Sequence, residues 1–238
     1  MRSFVAAVLL VAGSAARAGE DTDTPGAGRW EINMNVSGER SSPGWLSVIP
    51  QAEVNYGWGE RLQLGAGVER LIAHPRGESS QSALGPATVG AKWRFYEDGA
   101  SGRALAVFPT YSWNPSSAAV RKGLAEPGHS LMLPLIAGFR RGEWALFVSA
   151  GRNIVSSGAD EWQAGLKATR QCLPTVECRL ELEHSQALRQ EGHTQAGAGF
   201  KWAVVPDLIL QASVGRDIGP SRPEKHQLVI LFGIQLLR

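Results

Sequence analysis

Twelve stretches of about ten residues along this chain alternate apolar with polar side chains. Successive side chains of a strand point to opposite faces, so each stretch makes one apolar and one polar face. In the first, 29–37, Trp30, Ile32, Met34 and Val36 oppose Glu31, Asn33 and Asn35. A hairpin about Gly57-Trp58-Gly59-Glu60 joins the next two. Ala52, Val54 and Tyr56 oppose Gln51, Glu53 and Asn55, and Leu62, Leu64, Ala66 and Val68 oppose Gln63, Gly65, Gly67 and Glu69. The fourth, 87–96, sets Val89, Ala91, Trp93 and Phe95 against Thr88, Gly90, Lys92 and Arg94. The fifth (103–113) and sixth (130–140) are more apolar, and the seventh (143–153) turns Trp144, Leu146 and Val148 outward. The eighth sets Trp162, Ala164 and Leu166 against Gln163, Gly165 and Lys167, and the ninth sets Val176, Leu180 and Leu182 against Glu177, Arg179, Glu181 and Glu183. The tenth has Ala196, Ala198, Phe200 and Trp202 opposite Gln195, Gly197, Gly199 and Lys201; 208–215 and 227–237 complete the set.

The eight tryptophans lie near the ends of these stretches. An indole ring, apolar with a polar tip, suits a membrane–water boundary. Both facts predict an all-β fold, a closed antiparallel up-and-down transmembrane β-barrel of about 12 strands, because lipid leaves no place for an unpaired sheet edge. The expected interface aromatics are Trp30, Tyr56, Trp58, Trp93, Phe139, Trp144 and Trp202 toward the periplasm, with Trp113 and Trp162 at the outer rim. Short links (57–60, 97–102, 141–142, 172–178, 205–206) alternate with longer ones (38–44, 73–85, 114–129, 156–160, 186–193, 216–226). Periplasmic turns of bacterial barrels are short and outer loops long, which sets the orientation. A secreted β-sandwich also alternates, but it has no reason to gather aromatics into two belts.

Residues 1–18 read as a signal peptide: Arg2, an apolar run from Phe4 to Ala12, then Ala16-Arg17-Ala18 as an A-x-A-like cleavage site. That run is shorter than the about 20 residues a membrane helix needs. Residues 19–28 are expected as a short periplasmic leader and 29–238 as the barrel. Loss of 1–18 leaves 22 basic against 22 acidic residues, so the charge gives no argument for a nucleic-acid partner.

The run Leu84-Gly85-Pro86-Ala87-Thr88-Val89-Gly90-Ala91-Lys92-Trp93-Arg94-Phe95, then Ala104-Leu105-Ala106-Val107-Phe108-Pro109, resembles the MetA-pathway of phenol degradation family of outer-membrane transporters. The likeness continues through Gly197-Ala198-Gly199-Phe200-Lys201-Trp202 and Leu210-Gln211-Ala212-Ser213-Val214-Gly215. It implies an outer-membrane barrel that passes small, often hydrophobic molecules, and supplies no catalytic residues. Such chains commonly end on an aromatic residue read by the barrel assembly machinery; this one ends Leu236-Leu237-Arg238.

The polar faces define the candidate site: Glu31, Asn33, Glu53, Asn55, Gln63, Glu69, Lys92, Arg94, Lys167, Arg179, Glu181, Glu183 and Lys201, all expected to line a lumen. Eight strands close on a filled interior and sixteen on a wide channel, so about twelve give a narrow pore or an interior closed by ion pairs. The expected function is passive passage of small molecules, including hydrophobic or aromatic ones, with outer-membrane lipid and lipopolysaccharide as surroundings. A lipid-modifying enzyme at the outer rim is the alternative, because lipid-cleaving barrels use a Ser-His pair and His184-Ser185 is an adjacent pair near the outer end of its strand; a purely structural barrel is the third. His74, His129, His184, His193 and His226 all fall at outer strand ends or in loops, without H-x-H or H-x₃-H spacing, so no metal site is expected. Glycine pairs such as Gly65 and Gly67 lie within strands with no following helix, so no nucleotide cofactor is expected either. Cys172 and Cys178 are the only cysteines and predict a disulfide in an oxidising compartment. If they face each other across a hairpin, Lys167 stands opposite Glu183 and Gln171 opposite Arg179.

Overall fold

The computed structural model describes residues 20–188, 191–219 and 225–238; the expected signal peptide lies outside them. Its strands are β1 (Trp30–Arg40), β2 (Gly44–Gly57), β3 (Leu62–Pro75), β4 (Gln81–Asp98), β5 (Arg103–Val107), β6 (Thr110–Trp113), β7 (His129–Arg141), β8 (Trp144–Val155), β9 (Glu161–Leu173), β10 (Val176–Ala187), β11 (His193–Val205), β12 (Leu208–Ile218) and β13 (Leu228–Leu237). One short helix, α1 (Ser117–Arg121), follows β6. β5 and β6 both pair with β4 and β7, so they are two halves of one stave, interrupted at Phe108-Pro109. Proline has no N–H for the ladder, yet the Pro109 carbonyl still accepts from Ala91 N at 3.1 Å. The segments therefore make twelve staves. β13 returns to β1 in antiparallel register from Glu31↔Leu237 to Arg40↔Leu228, and the sheet closes.

The two faces of the sheet invert the usual distribution of polarity. Leu135, Leu180 and Phe232 are half or more exposed on the outside, while Lys92 is 3% exposed within. An apolar band of that extent is a lipid-facing surface. Apart from β5 and β6, the strands run from 10 residues in β13 to 18 in β4. Most exceed the roughly 9–11 residues that cross a bilayer, so the sheet projects beyond it.

Three departures from the sequence reading have identifiable causes. First, β2 begins at Gly44, β3 runs to Pro75 and β4 starts at Gln81, well into the expected loop 73–85. Alternation fades there because the inner face turns apolar: Leu46, Val48, Leu71, Ala73 and Ala83 pack on Ala119, Leu124 and Ala125. Secondly, the expected outward loop 114–129 folds inward to supply those last three residues. Ser116 caps α1 by accepting from Ala118 N at 3.2 Å, and Lys122 donates to the Ser82 carbonyl at 2.8 Å. Thirdly, Cys172 and Cys178 are bridged, Cα atoms 5.9 Å apart, but they are not opposite one another. Leu173 pairs with Val176 around Pro174-Thr175, a bulge follows at Val176/Glu177, and the ladder then sets Lys167 opposite Glu181 and Gln171 opposite Glu177. Glu183 faces Gly165 and Arg179 faces Thr169, so the expected pairs are each displaced by two residues.

Gly233 shows how the inner face is packed. Its neighbours across the ladder are Asn35 on β1 and Gln211 on β12, which meet above it in a 2.9 Å hydrogen bond. A Cβ at Gly233 would stand 1.9 Å from Asn35 Oδ1. We expect Gly233→Val to break that bridge beside the closing seam and to cost about 1–3 kcal/mol, the usual penalty of overpacking. The check is the temperature at which the folded band converts to the unfolded band on a semi-native gel, which should fall.

Candidate functional site: the barrel lumen

Asn55, Gln63, Glu69, Lys92 and Lys167 are buried, and Glu31, Asn33, Glu53, Arg94, Arg179, Glu181, Glu183 and Lys201 are half-buried, all on the strand faces opposite the lipid-facing apolar residues. Near the turn-bearing end Asn33 donates to Glu31 at 2.8 Å, and Asn55 donates to Glu53 at 3.0 Å and Glu31 at 3.4 Å. Arg179 lies 3.6 Å from Glu181. Arg94 sits nearer the rim, 3.4 Å from Glu97 and donating to the Glu60 carbonyl at 2.8 Å.

The segment read as a leader does not hang clear of the barrel. Lys92 Nζ is 2.9 Å from Glu20 and 3.6 Å from Asp21, Lys167 Nζ is 3.3 Å from Asp21, and Arg140 pairs with Asp23. Thr22 is 2% exposed, and Thr24 donates to the Glu60 carbonyl at 2.9 Å. Basic side chains projecting into one low-dielectric interior repel one another, and unpaired charges there are costly. An acidic stretch drawn in beside them offsets both. Gly57 admits the segment: Gly28 N donates to its carbonyl at 2.9 Å, and a Cβ there would lie 1.8 Å from the Gly26 carbonyl oxygen.

Between this segment and the inward-folded loop after α1 lies a cavity of about 240 Å³. Phe108 and Met132 give it apolar wall, and Glu53, Glu69, Glu161 and Gln163 give it polar wall. At the loop-bearing mouth, a second cluster joins three strands. His226 lies with Nε2 3.6 Å from Glu39 and Nδ1 3.6 Å from Asp217, its backbone N–H donates to Asp217 at 2.8 Å, and the His193 ring meets it edge-on at 6.4 Å.

The His184-Ser185 pair of the alternative reading does not form, because neighbours on a strand point to opposite faces. His184 Nδ1 bonds Thr194 Oγ1 at 2.9 Å on the exposed side, while Ser185, buried, meets His193 Nδ1 at 3.0 Å. Of the five histidines, His193 and His226 converge; His74 bonds Ser80 and His129 lies against Tyr111.

The aromatics expected at the membrane interfaces lie at both ends of the barrel. Trp30 packs on Tyr56 at 4.7 Å and Trp93 on Phe95 at 5.8 Å; Arg170 lies over Trp144 at 5.3 Å, with Phe139 and Trp202 also exposed at that end. Trp58 is the most exposed at 66%, in the β2–β3 turn. At the other rim Trp113 stacks on Tyr111 at 5.9 Å and Arg152 lies over Trp162 at 5.9 Å.

Barrels of this kind are known. The chain is similar to the COG4313 outer membrane channel from Pseudomonas putida F1, with a TM-score of 0.75 and 14% identity over 92% of this chain and 98% of that one. It is similar also to the NanC porin (0.61, 6%, 87% and 98%) and the KdgM porin (0.60, 9%, 86% and 98%). No family model matches the chain, and no curated protein matches it in sequence. The first of these is an outer membrane channel and the other two are porins, and their likeness fixes the fold of this chain as a closed β-barrel of the same architecture.

Sequence reasoning missed the Glu20–Thr24 contacts and the His226 cluster. The acidic residues Glu20, Asp21 and Asp23 just ahead of strand one were the available signal for the first. For the second there was none, since Glu39 is brought to Asp217 and His226 only by the closure of β1 on β13.

His226 lies in the link before β13, outside the spanning strands. Burial works against its charge, but the Asp217 and Glu39 carboxylates outweigh it and raise the pKa above the ordinary histidine value. A raised folded-state pKa gives stability that is fully present below the unfolded value of about 6.5 and lost as pH rises through the folded one. Resistance to thermal opening should therefore fall as pH rises above about 6.5 in the wild type. In His226→Gln it should lose this component of the pH dependence, as read by thermal melts in detergent.

Proposed function

We propose that this protein is a passive outer-membrane channel for small molecules, which cross through the polar lumen. The observation that carries the reading is the cluster of Lys92 and Lys167 with Glu20 and Asp21: ionised groups face the interior of a closed barrel whose exterior is apolar. A barrel with only a structural role would be served by an apolar core, since well-packed apolar residues replace buried ion pairs at no loss of stability. By the rule of short inner turns, the end with both termini faces the periplasm and the α1 end faces out. Lipid and lipopolysaccharide would contact the aromatic rims, and the barrel assembly machinery would insert the chain.

Kinship with the MetA-pathway of phenol degradation family fits this reading and extends the solutes to hydrophobic and aromatic ones. The aromatic and apolar wall formed by Phe108 and Met132 supports that extension. We assign no catalytic residue: Ser185 and His193 bond inside the mouth, away from the lipid that an outer-rim lipase would need to reach. Ser185→Ala should leave passage unchanged.

Charged groups facing a pore select ions electrostatically. Lys92→Glu would place a carboxylate against Glu20 and Asp21, repel the N-terminal segment and remove a positive charge from the path. The expected result in planar bilayers is larger single-channel conductance, with the reversal potential in a salt gradient shifted toward cation preference. Arg94→Glu, nearer the rim, should shift selectivity with a smaller change in conductance. Equal conductance and reversal potential in wild type and Lys92→Glu would count against a conducting lumen.

A further inference from the structure

Charge in the loop-bearing half of the wall is divided by face. Glu39-Arg40, Glu69-Arg70 and Arg216-Asp217 are each two consecutive residues of one strand, so one side chain points into the lumen and the other away from it. In all three the carboxylate is buried and the arginine exposed. Arg152 of β8 is exposed in the same way. The lipid-facing surface of this half thus carries arginines, and among the described residues no strand aspartate or glutamate stands with them.

Two of these arginines are already engaged: Arg152 pairs with Asp160, and Arg70 donates to Ser82 Oγ at 3.3 Å. Arg40 and Arg216 have no such partner among the described residues, and they flank one residue of the closing seam. Arg40 pairs with Leu228, and Gly215 pairs with Val229, which sets Arg216 beside Leu228 from the other side. One strand lies between them, a separation of about 10 Å at the usual strand spacing, so both side chains can reach a group seated over Leu228. Trp45, the partner of Arg40 on β2, extends this patch away from the mouth. Its indole covers Gly38, where a Cβ would meet Trp45 Cζ3 at 3.3 Å and Ile230 Cγ1 at 3.5 Å. Beyond Ile230 the surface stays apolar through Val36 and Phe232, paired with each other and 42% and 61% exposed. An unpaired guanidinium on a lipid-facing wall is costly in hydrocarbon and tolerated at the headgroups, where an anion completes it.

The geometry points to this seam patch as a binding site for lipopolysaccharide, with Arg40 and Arg216 donating to phosphate on its lipid anchor and an acyl chain lying along Trp45, Ile230 and Phe232. A planar guanidinium offers paired N–H donors that match phosphate oxygens. Two arginines with no acid to neutralise either call for more than one negative charge. Phosphate monoesters on a lipid anchor supply that; the single charge of a phospholipid diester does not. The assignment rests on the orientation given with the proposed function, which sets the α1 end in the outer leaflet, and it does not depend on a conducting lumen.

The test is titration of the detergent-solubilised protein with three lipids, read by native mass spectrometry: phosphorylated lipid A, lipid A stripped of its phosphates, and phosphatidylglycerol. Phosphorylated lipid A should bind at least about tenfold more tightly than either of the others, the scale of a charge-assisted hydrogen bond. Arg40→Gln and Arg216→Gln should each weaken it by about tenfold, whereas Arg70→Gln, the same loss of charge elsewhere on the rim, should leave it unchanged. Heat-modifiable gel migration verifies folding, and either seam variant suffices if the other does not fold. Equal binding of the three lipids, unchanged affinity in a folded seam variant, or an equal loss in Arg70→Gln overturns the assignment. Ion current in bilayers without a preference for phosphorylated lipid A removes this site and leaves the channel; that preference with silent bilayers supports the site and removes the channel.

Discussion

A backbone N–H or C=O left unpaired in hydrocarbon costs several kcal/mol, and every feature of this protein is arranged around avoiding that. The pairing of β13 with β1 is the step that removes the last two edges. Once the sheet is closed, the strand period of two assigns each side chain to lipid or lumen, and a single-residue slip would exchange the two sets. Apolar exteriors, aromatic rims and a charged interior are consequences of that one closure. The split stave at Phe108-Pro109 shows the tolerance of the scheme: both halves keep their partners in β4 and β7, and the Pro109 carbonyl still serves the ladder.

Twelve staves enclose more space than their inward side chains fill, and the chain uses two of its own segments inside. At the outer end, α1 and the residues after it lay Ala119, Leu124 and Ala125 on an apolar inner wall. At the other end, Glu20, Asp21 and Asp23 enter a field set by Lys92, Lys167 and Arg140. The first is held by apolar burial, which salt does not screen. The second is electrostatic and partly exposed, so it is the one that ionic strength and charge reversal address. The space left between them carries the acidic cavity.

Much of this was legible in the sequence, because alternation reports directly on which face meets lipid. The twelve staves and the Cys172–Cys178 bridge follow from local pattern. Alternation failed where the lumen itself turned apolar, at Leu46, Val48, Leu71 and Ala83, since an apolar inner face looks the same as the end of a strand. The hairpin register was misjudged because a disulfide was taken to mark directly opposed residues. A bulge at Val176/Glu177 lets the cysteines bridge diagonally and moves Lys167 to Glu181. The His226 cluster lay beyond local pattern: Asp217 and His226 meet across one connection, but Glu39 is separated from them by most of the chain and joins only through the seam.

A continuous conducting path through the closed barrel is the claim on which the rest depends. Recording from the wild-type chain alone in a planar bilayer at moderate salt addresses it most directly. The account predicts small, discrete current steps, in keeping with a narrow lumen. Bilayers that contain correctly folded, heat-modifiable protein and stay silent at every applied voltage would contradict it.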